Sequence, residues 1–138
     1  MSDIVILSAT RTPLGAFQGA LSSVPAARLG ATAIKGAVAR AGVNPHDITD
    51  CLMGNVLQAG QGQAPARQAA IYAGLPTSVR CVTVHKVCGS GMQTVIGASH
   101  FLAGGMGTVA VAGGMENMSL APTCCRRRAT VTASATSR

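Results

Sequence analysis

Residues Val82 to Met92 read VTVHKVCGSGM, and this stretch decides how the chain folds. Its first half is β-branched and apolar, which favours a strand. Its second half sets Gly89, Ser90 and Gly91 directly after Cys88, and the sequence from there to Ala103 contains no Asp, Glu, Lys or Arg. A strand over Val79–Val87 is therefore expected to run through one cysteine into a helix over Gly89–Ala103. A helix with no polar face is normally buried on all sides. One side of this one has no obvious cover in the sequence, so either another chain or a missing part of this one is expected to lie against it.

Working outward, the same alternation continues in both directions. Thr108–Ala112 is a further β-rich run after the Gly104-Gly105 stop. Ala64–Ala73 reads as a short helix ended by Gly74, preceded by a strand at Cys51–Leu57. From Ala26 to Ala41 the polar residues Arg28, Thr32 and Lys35 fall at helical spacing, with Pro25 placed to open the helix and Gly42 to stop it. The apolar run Ile4–Leu7 is expected to be a buried strand. Strands alternating with helices predict an α/β layer structure with much parallel pairing.

Composition sets the outer bounds. The chain has 138 residues, at most one domain of ordinary size, and 48% of them are hydrophobic but only 2% aromatic. Ala and Gly make up much of the rest, which points to closely packed backbones. The net charge of +7 is uneven: residues 1–122 hold seven basic and four acidic side chains, whereas residues 123–138 hold four Arg and no acid. A basic excess carried mainly by a tail does not describe a nucleic-acid-binding face. The N-terminus lacks a secretory pattern, and no apolar run is long enough to span a bilayer. Cysteines 51, 81, 88, 124 and 125 are then expected to be free thiols in a cytoplasmic protein.

Cys88 is the candidate for chemistry. The first N–H groups of a helix are unpaired and carry partial positive charge, which stabilises a neighbouring thiolate. Gly89 and Gly91 are expected to let the backbone turn and a substrate approach, the surroundings of an activated nucleophile. Packing as a small buried hydrophobe is the competing fate. Other patterns fail on context. Gly105-x-Gly107-x-x-Ala110 precedes a strand instead of opening a helix. Ser90 lacks a hydrolase elbow because Met92 replaces the second glycine. Cys81-x-x-x-His85-x-x-Cys88 has metal-like spacing without a second ligand pair, so no metal site is assigned. His46 and His100 stand alone, and Cys124-Cys125 are adjacent without further context.

Four longer stretches, RTPLGAFQGAL (11–21), GNVLQAGQGQAPARQAAIYAGLP (54–76), VTVHKVCGSGM (82–92) and AVAGGMENMSLAP (110–122), resemble the thiolases, in particular the biosynthetic acetyl-CoA acetyltransferases. The similarity runs from about residue 3 to residue 122. It implies the N-terminal half of a layered α/β/α/β/α fold with a mixed sheet, the charge-free helix lying in the central layer. It implies that Cys88 accepts the acyl group from acyl-CoA as a thioester, with its backbone N–H in an oxyanion hole. Two acetyl-CoA would condense to acetoacetyl-CoA, or the reverse thiolysis would occur. Coenzyme A thioesters would be substrates; no cofactor is implied, and the cofactor-binding residues are unknown. Neither a nucleic acid nor a membrane is implied as partner, and a homodimer or homotetramer is. Residues 115–118 are assigned support of the site.

After Pro122 the resemblance stops. The thiolase pattern continues with an activating His, an oxyanion-hole Asn and a second Cys in Cys-x-Gly, and no match to these is found here. Residues 123–138, TCCRRRATVTASATSR, have no period or apolar run and are expected to be an aberrant or disordered basic tail, such as a frameshift would leave. On this reading, 1–122 is an incomplete thiolase N-terminal domain and is expected to be inactive alone. A non-catalytic thiol- or metal-binding fragment using Cys81, His85, Cys88 and Cys124-Cys125 is the alternative.

Overall fold

Three five-residue strands and three helices alternate along residues 3–122, the part of the chain that a computed structural model describes; the expectation for the tail lies outside it. Helix α1 spans Ala26–Ala41, β1 Asp50–Gly54, α2 Pro65–Ala73, β2 Arg80–Val84, α3 Ser90–Ala103 and β3 Ala110–Gly114. The three helix C-termini follow the glycines in the sequence. Gly42 (φ 66°) and Gly74 (φ 87°) adopt the left-handed conformation that ends a helix at little cost without a Cβ. β1 and β2 are shorter than expected, because loops take over at Asn55 and His85, and β3 keeps five residues but lies two positions later, ending before Met115.

The sheet order is β2-β1-β3, and both pairings are parallel. Asp50 pairs with Arg80 and with Ala110, and Gly54 pairs with Val84 and with Gly114, so all three strands end at one edge. β1 is the central strand and every residue of it is buried. Its odd positions Cys51 and Met53 belong to the core under α1 and α2. Its even position Leu52 meets α3, where a Cβ on Gly97 would lie 3.2 Å from Leu52 Cδ2.

Small side chains let the α1/α2 layer settle close to the sheet. Ala26, Ala27, Ala31 and Ile34 of α1 and Ala66, Ala69 and Ala70 of α2 are buried there. Gly30 is needed because an added Cβ would stand 2.6 Å from Met115 Sδ. Burying Ile34 alone is worth about 1.5–3 kcal/mol. Across the two helices the Arg28 guanidinium lies 3.6 Å from the centre of the Tyr72 ring. At the opposite end of the sheet Asp50 is clamped by Arg80: Nε donates to Oδ1 at 2.9 Å and Nη2 to Oδ2 at 2.7 Å. Thr49 adds a third donor at 2.7 Å. Burial pushes the Asp50 carboxyl up, but the Arg80 and Thr49 hydrogen bonds and the Arg80 charge outweigh it and hold its pKa below the usual value.

The expected strand at Ile4–Leu7 is not part of this sheet. The segment is exposed, Ile6 to 81%, and α1 holds it instead. Ser8 Oγ donates to Ala37 O at 2.7 Å, Thr10 Oγ1 to Ala33 O at 2.7 Å, and Arg40 Nη1 to Ala9 O at 3.0 Å. Between this segment and β3 lies a slot of about 900 Å³, lined also by Ala37, Val38, Val95 and Leu102. An apolar run signals a preference for burial but names no ladder partner, and here no described strand reaches it.

Candidate active site

The shared strand edge gathers three loops, beginning at Asn55, His85 and Met115. In open parallel sheets, ligands bind beyond the carboxyl ends of the strands. The ladder continues one step into the loops, with Asn55 N donating to Val84 O at 3.0 Å and Met115 N to Gly54 O at 2.9 Å. Cys88 follows β2 by four residues and precedes α3 by two, and it is exposed.

The turn that presents Cys88 is tightly determined. Gly89 N donates to Lys86 O at 3.0 Å and Ser90 N to Val87 O at 3.1 Å. The buried Ser90 hydroxyl closes the turn from inside, accepting from Lys86 N at 2.8 Å and donating to Val87 O at 2.6 Å. Val87 has φ 48°, a left-handed conformation that strains a β-branched residue. Such strain persists where surrounding contacts over-determine it, and it concentrates at functional sites. The glycines work differently from expectation. Gly89 has an ordinary φ of −86°. Gly91 packs α3 onto β3, where a Cβ on Gly114 would lie 3.4 Å from its Cα. Gly54 does the same for β1, since a Cβ there would stand 2.8 Å from the Ser90 carbonyl carbon. Backbone-to-backbone packing thus fixes the first turn of α3, and with it Cys88, on the end of the sheet. The slot beside β3 does not include Cys88.

Met115-Glu116-Asn117 ties the remaining loops together. Met115 fills the space opposite Gly30. Glu116 accepts from Asn55 Nδ2 at 3.0 Å, Val56 N at 2.8 Å and Leu57 N at 3.2 Å, so one carboxylate holds the whole turn after β1. Asn117 Nδ2 donates to the carbonyls of Leu21, Ser22 and Val24, anchoring the segment that leads into α1. Asn55 is buried and also donates to Met115 O at 3.2 Å, while its Oδ1 has no hydrogen-bond partner among the described residues. Sequence reasoning assigned support to 115–118 as a block but did not single out Glu116 or Asn55. The available signal was that Glu116 is the only glutamate in the chain.

The metal-like spacing of Cys81, His85 and Cys88 does not become a cluster. Among the described residues no three His, Cys, Asp or Glu side chains come together in a way that could hold a metal ion. His46, His85 and His100 are exposed. Cys81 is instead brought beside Cys51, its register partner in the sheet. Cys124 and Cys125 lie outside the described residues.

Comparison with known proteins bears on the family and the fold. The family described as thiolase, N-terminal domain, matches residues 4–137, a match that crosses the point at Pro122 where the sequence resemblance was seen to stop. Acetyl-CoA acetyltransferase B, mitochondrial, of Xenopus laevis is 55% identical over 130 residues, covering 94% of this chain and 31% of that protein. The acetyl-CoA acetyltransferase of Cupriavidus necator is 53% identical over 122 residues, 88% of this chain and 31% of that one. A crystal structure of the Acat5 thiolase of Ascaris suum in complex with coenzyme A superimposes with a TM-score of 0.84 at 41% identity, over 88% of this chain and 32% of that chain. The chain therefore spans about a third of the length of these relatives. Among the described residues no helix is long and apolar enough to cross a membrane. With the parallel sheet, the cysteine turn and a family match over nearly its whole length, this chain belongs to the thiolase family of enzymes.

Proposed function

We propose that this chain carries the nucleophile of an acetyl-CoA acetyltransferase, with Cys88 as acyl acceptor. The observation that supports it is the exposed thiol at the strand-to-helix turn, on a strained Val87 held by Ser90. In the proposed step the Cys88 thiolate attacks the acyl carbonyl of acetyl-CoA. The bond between that carbon and the coenzyme A sulfur breaks, coenzyme A leaves as a thiolate and is protonated, and an acetyl thioester remains on Cys88. The Cys88 N–H, near the positive end of α3, donates to the oxygen that becomes negative. Condensation with a second acetyl-CoA, or thiolysis in reverse, requires an α-proton base and a base for Cys88. The motifs that supply them in the family were not found in this sequence; a missing base for Cys88 is expected to slow its acylation by about a hundred- to ten-thousand-fold, and without the α-proton base the condensation step is lost.

Coenzyme A thioesters are the proposed partners, and a homodimer or homotetramer the proposed assembly. A cytoplasmic setting belongs to the same reading and rests on the free cysteines Cys51, Cys81 and Cys88. The Xenopus relative's mitochondrial name makes a mitochondrial location the competing outcome of cell fractionation. Intact mass after incubation with acetyl-CoA tests the central claim. One acetyl adduct on the wild type, absent from Cys88→Ala, is expected; a folded wild type that gains none, or a Cys88→Ala variant that still gains it, would overturn the assignment.

A further inference from the structure

Cys51 and Cys81 stand directly opposite each other on neighbouring parallel strands. Partners in a parallel ladder are about 4.8 Å apart and send their side chains to the same face. That separation falls inside the roughly 4.4–6.8 Å between Cα atoms that a disulfide spans, so the two thiols lie side by side within bonding reach of each other. Their surroundings differ. Cys51 is fully buried, while Cys81, on the outer strand, is partly buried against the same core and keeps some access to solvent. The positive charge of Arg67 on α2 acts on both thiols, and its Nη1 donates to Thr77 O at 3.1 Å.

We propose that Cys81 and Cys51 form a redox-active dithiol, separate from Cys88, that reacts with small-molecule disulfides: Cys81 attacks and Cys51 resolves. The Cys81 thiolate attacks one sulfur of the reagent, the reagent's S–S bond breaks, and one thiol is released after protonation. Cys51 then loses its proton and attacks Cys81 Sγ, expelling the second thiol. In balance, two protein thiols give two electrons and two protons, and one disulfide reagent becomes two thiols.

The electrostatics run the same way. The hydrogen bond from Cys51 is the main influence holding the Cys81 thiol down to about 7; burial opposes it, the Arg67 charge assists and the Asp50 charge opposes. The same bond, with burial, pushes Cys51 up, so it stays a thiol until it is needed. In its thiol form Cys81 donates to Val79 O at 3.6 Å. A low-pKa accessible thiol beside a resolving partner is what redox sensitivity requires.

The test uses the whole chain, oxidised glutathione as reagent, and peptide mapping. Trypsin cleavage after Arg40, Arg67, Arg80 and Lys86 puts Cys51, Cys81 and Cys88 on three different peptides. The expected product is peptide 41–67 cross-linked to peptide 81–86. Cys51→Ser should instead accumulate glutathione on Cys81, and Cys81→Ser should carry none on Cys51. In reduced wild type Cys81 should be alkylated faster than Cys51, with a rate that rises with pH and levels off below the pH at which an ordinary cysteine does. Absence of the cross-linked peptide in folded wild type would overturn the proposal, as would equal alkylation rates at the two cysteines.

Discussion

On one face of the sheet, Cys51 and Met53 sit under two helices whose alanines close over them, and Gly30 brings α1 near enough to touch Met115. On the other face, α3 is the only helix among the described residues. It buries Ser90, Thr94 and Ala98 against the strands, yet leaves Met92 66% exposed and Val95 and Ile96 40% exposed. Both helix layers put small apolar residues against the strands, so their inner sides do not separate them. What separates them is what lies on their outer sides. α1 turns Arg28, Thr32 and Lys35 to water, whereas α3 turns Met92 and Ile96 outward. One layer is finished with a polar surface and the other presents a second apolar one.

If that contrast is sound, substitutions on the two faces should differ in size. Met53→Ala, on the doubly covered face, is expected to lose about 2–5 kcal/mol, because a buried side chain is removed and its neighbours cannot collapse. Its denaturation midpoint measures this, and a loss below 1 kcal/mol would show the α1/α2 core to be loosely packed. Gly54→Ala acts at the point where α3 touches β1 backbone to backbone, and is expected to cost about 1–3 kcal/mol by overpacking. It should also slow acylation of Cys88, since the Ser90 turn must shift. Unchanged acylation with lowered stability would break the link between that contact and the nucleophile.

A smaller effect, one that acid removes, belongs to the Asp50 clamp. Its folded-state pKa is depressed, so its contribution is complete at neutral pH. It begins to fade below about pH 4, near the unfolded value, and is lost once the folded value is passed. Asp50→Asn should lower stability at pH 7 and flatten the acid limb; parallel stability curves for the two proteins from pH 7 to pH 2 would exclude the clamp as its source. Smallest of all, Ile96→Ser on the open side of α3 should change stability by no more than about 0.5 kcal/mol and improve solubility. A loss of 2 kcal/mol or more would mean that this side is covered in solution.

The helices were readable because their ends are marked by side-chain chemistry: Gly42, Gly74 and Gly104 stop them where expected. Cys88 was readable because it stands among small residues between two strong local patterns. Ile4–Leu7 was misjudged because hydrophobic pattern reports burial and says nothing about a hydrogen-bonding neighbour. Val87 was invisible, since nothing in Lys-Val-Cys announces a positive φ that tertiary contacts impose. The roles of Gly91 and Gly54 were equally hidden, because each is defined by a backbone more than twenty residues away. The pairing of Cys51 with Cys81 depends on register, which single-sequence periodicity does not fix across a crossover.

The regular strand spacing also has a bearing on how this chain comes to be folded. β1 begins at residue 50, β2 at 80 and β3 at 110, so its partners arrive thirty and sixty residues late. Parallel pairing of this kind pays loop-closure entropy before any ladder forms, which makes it slow. During synthesis at about 5–20 residues per second, β1 waits several seconds beside an unfilled edge. Until β3 emerges it has at best a two-stranded ribbon, which is marginally stable in water. The buried central strand of the native sheet is therefore the segment most exposed to mispairing on the ribosome, and the yield of folded protein should depend on translation speed between residues 54 and 110.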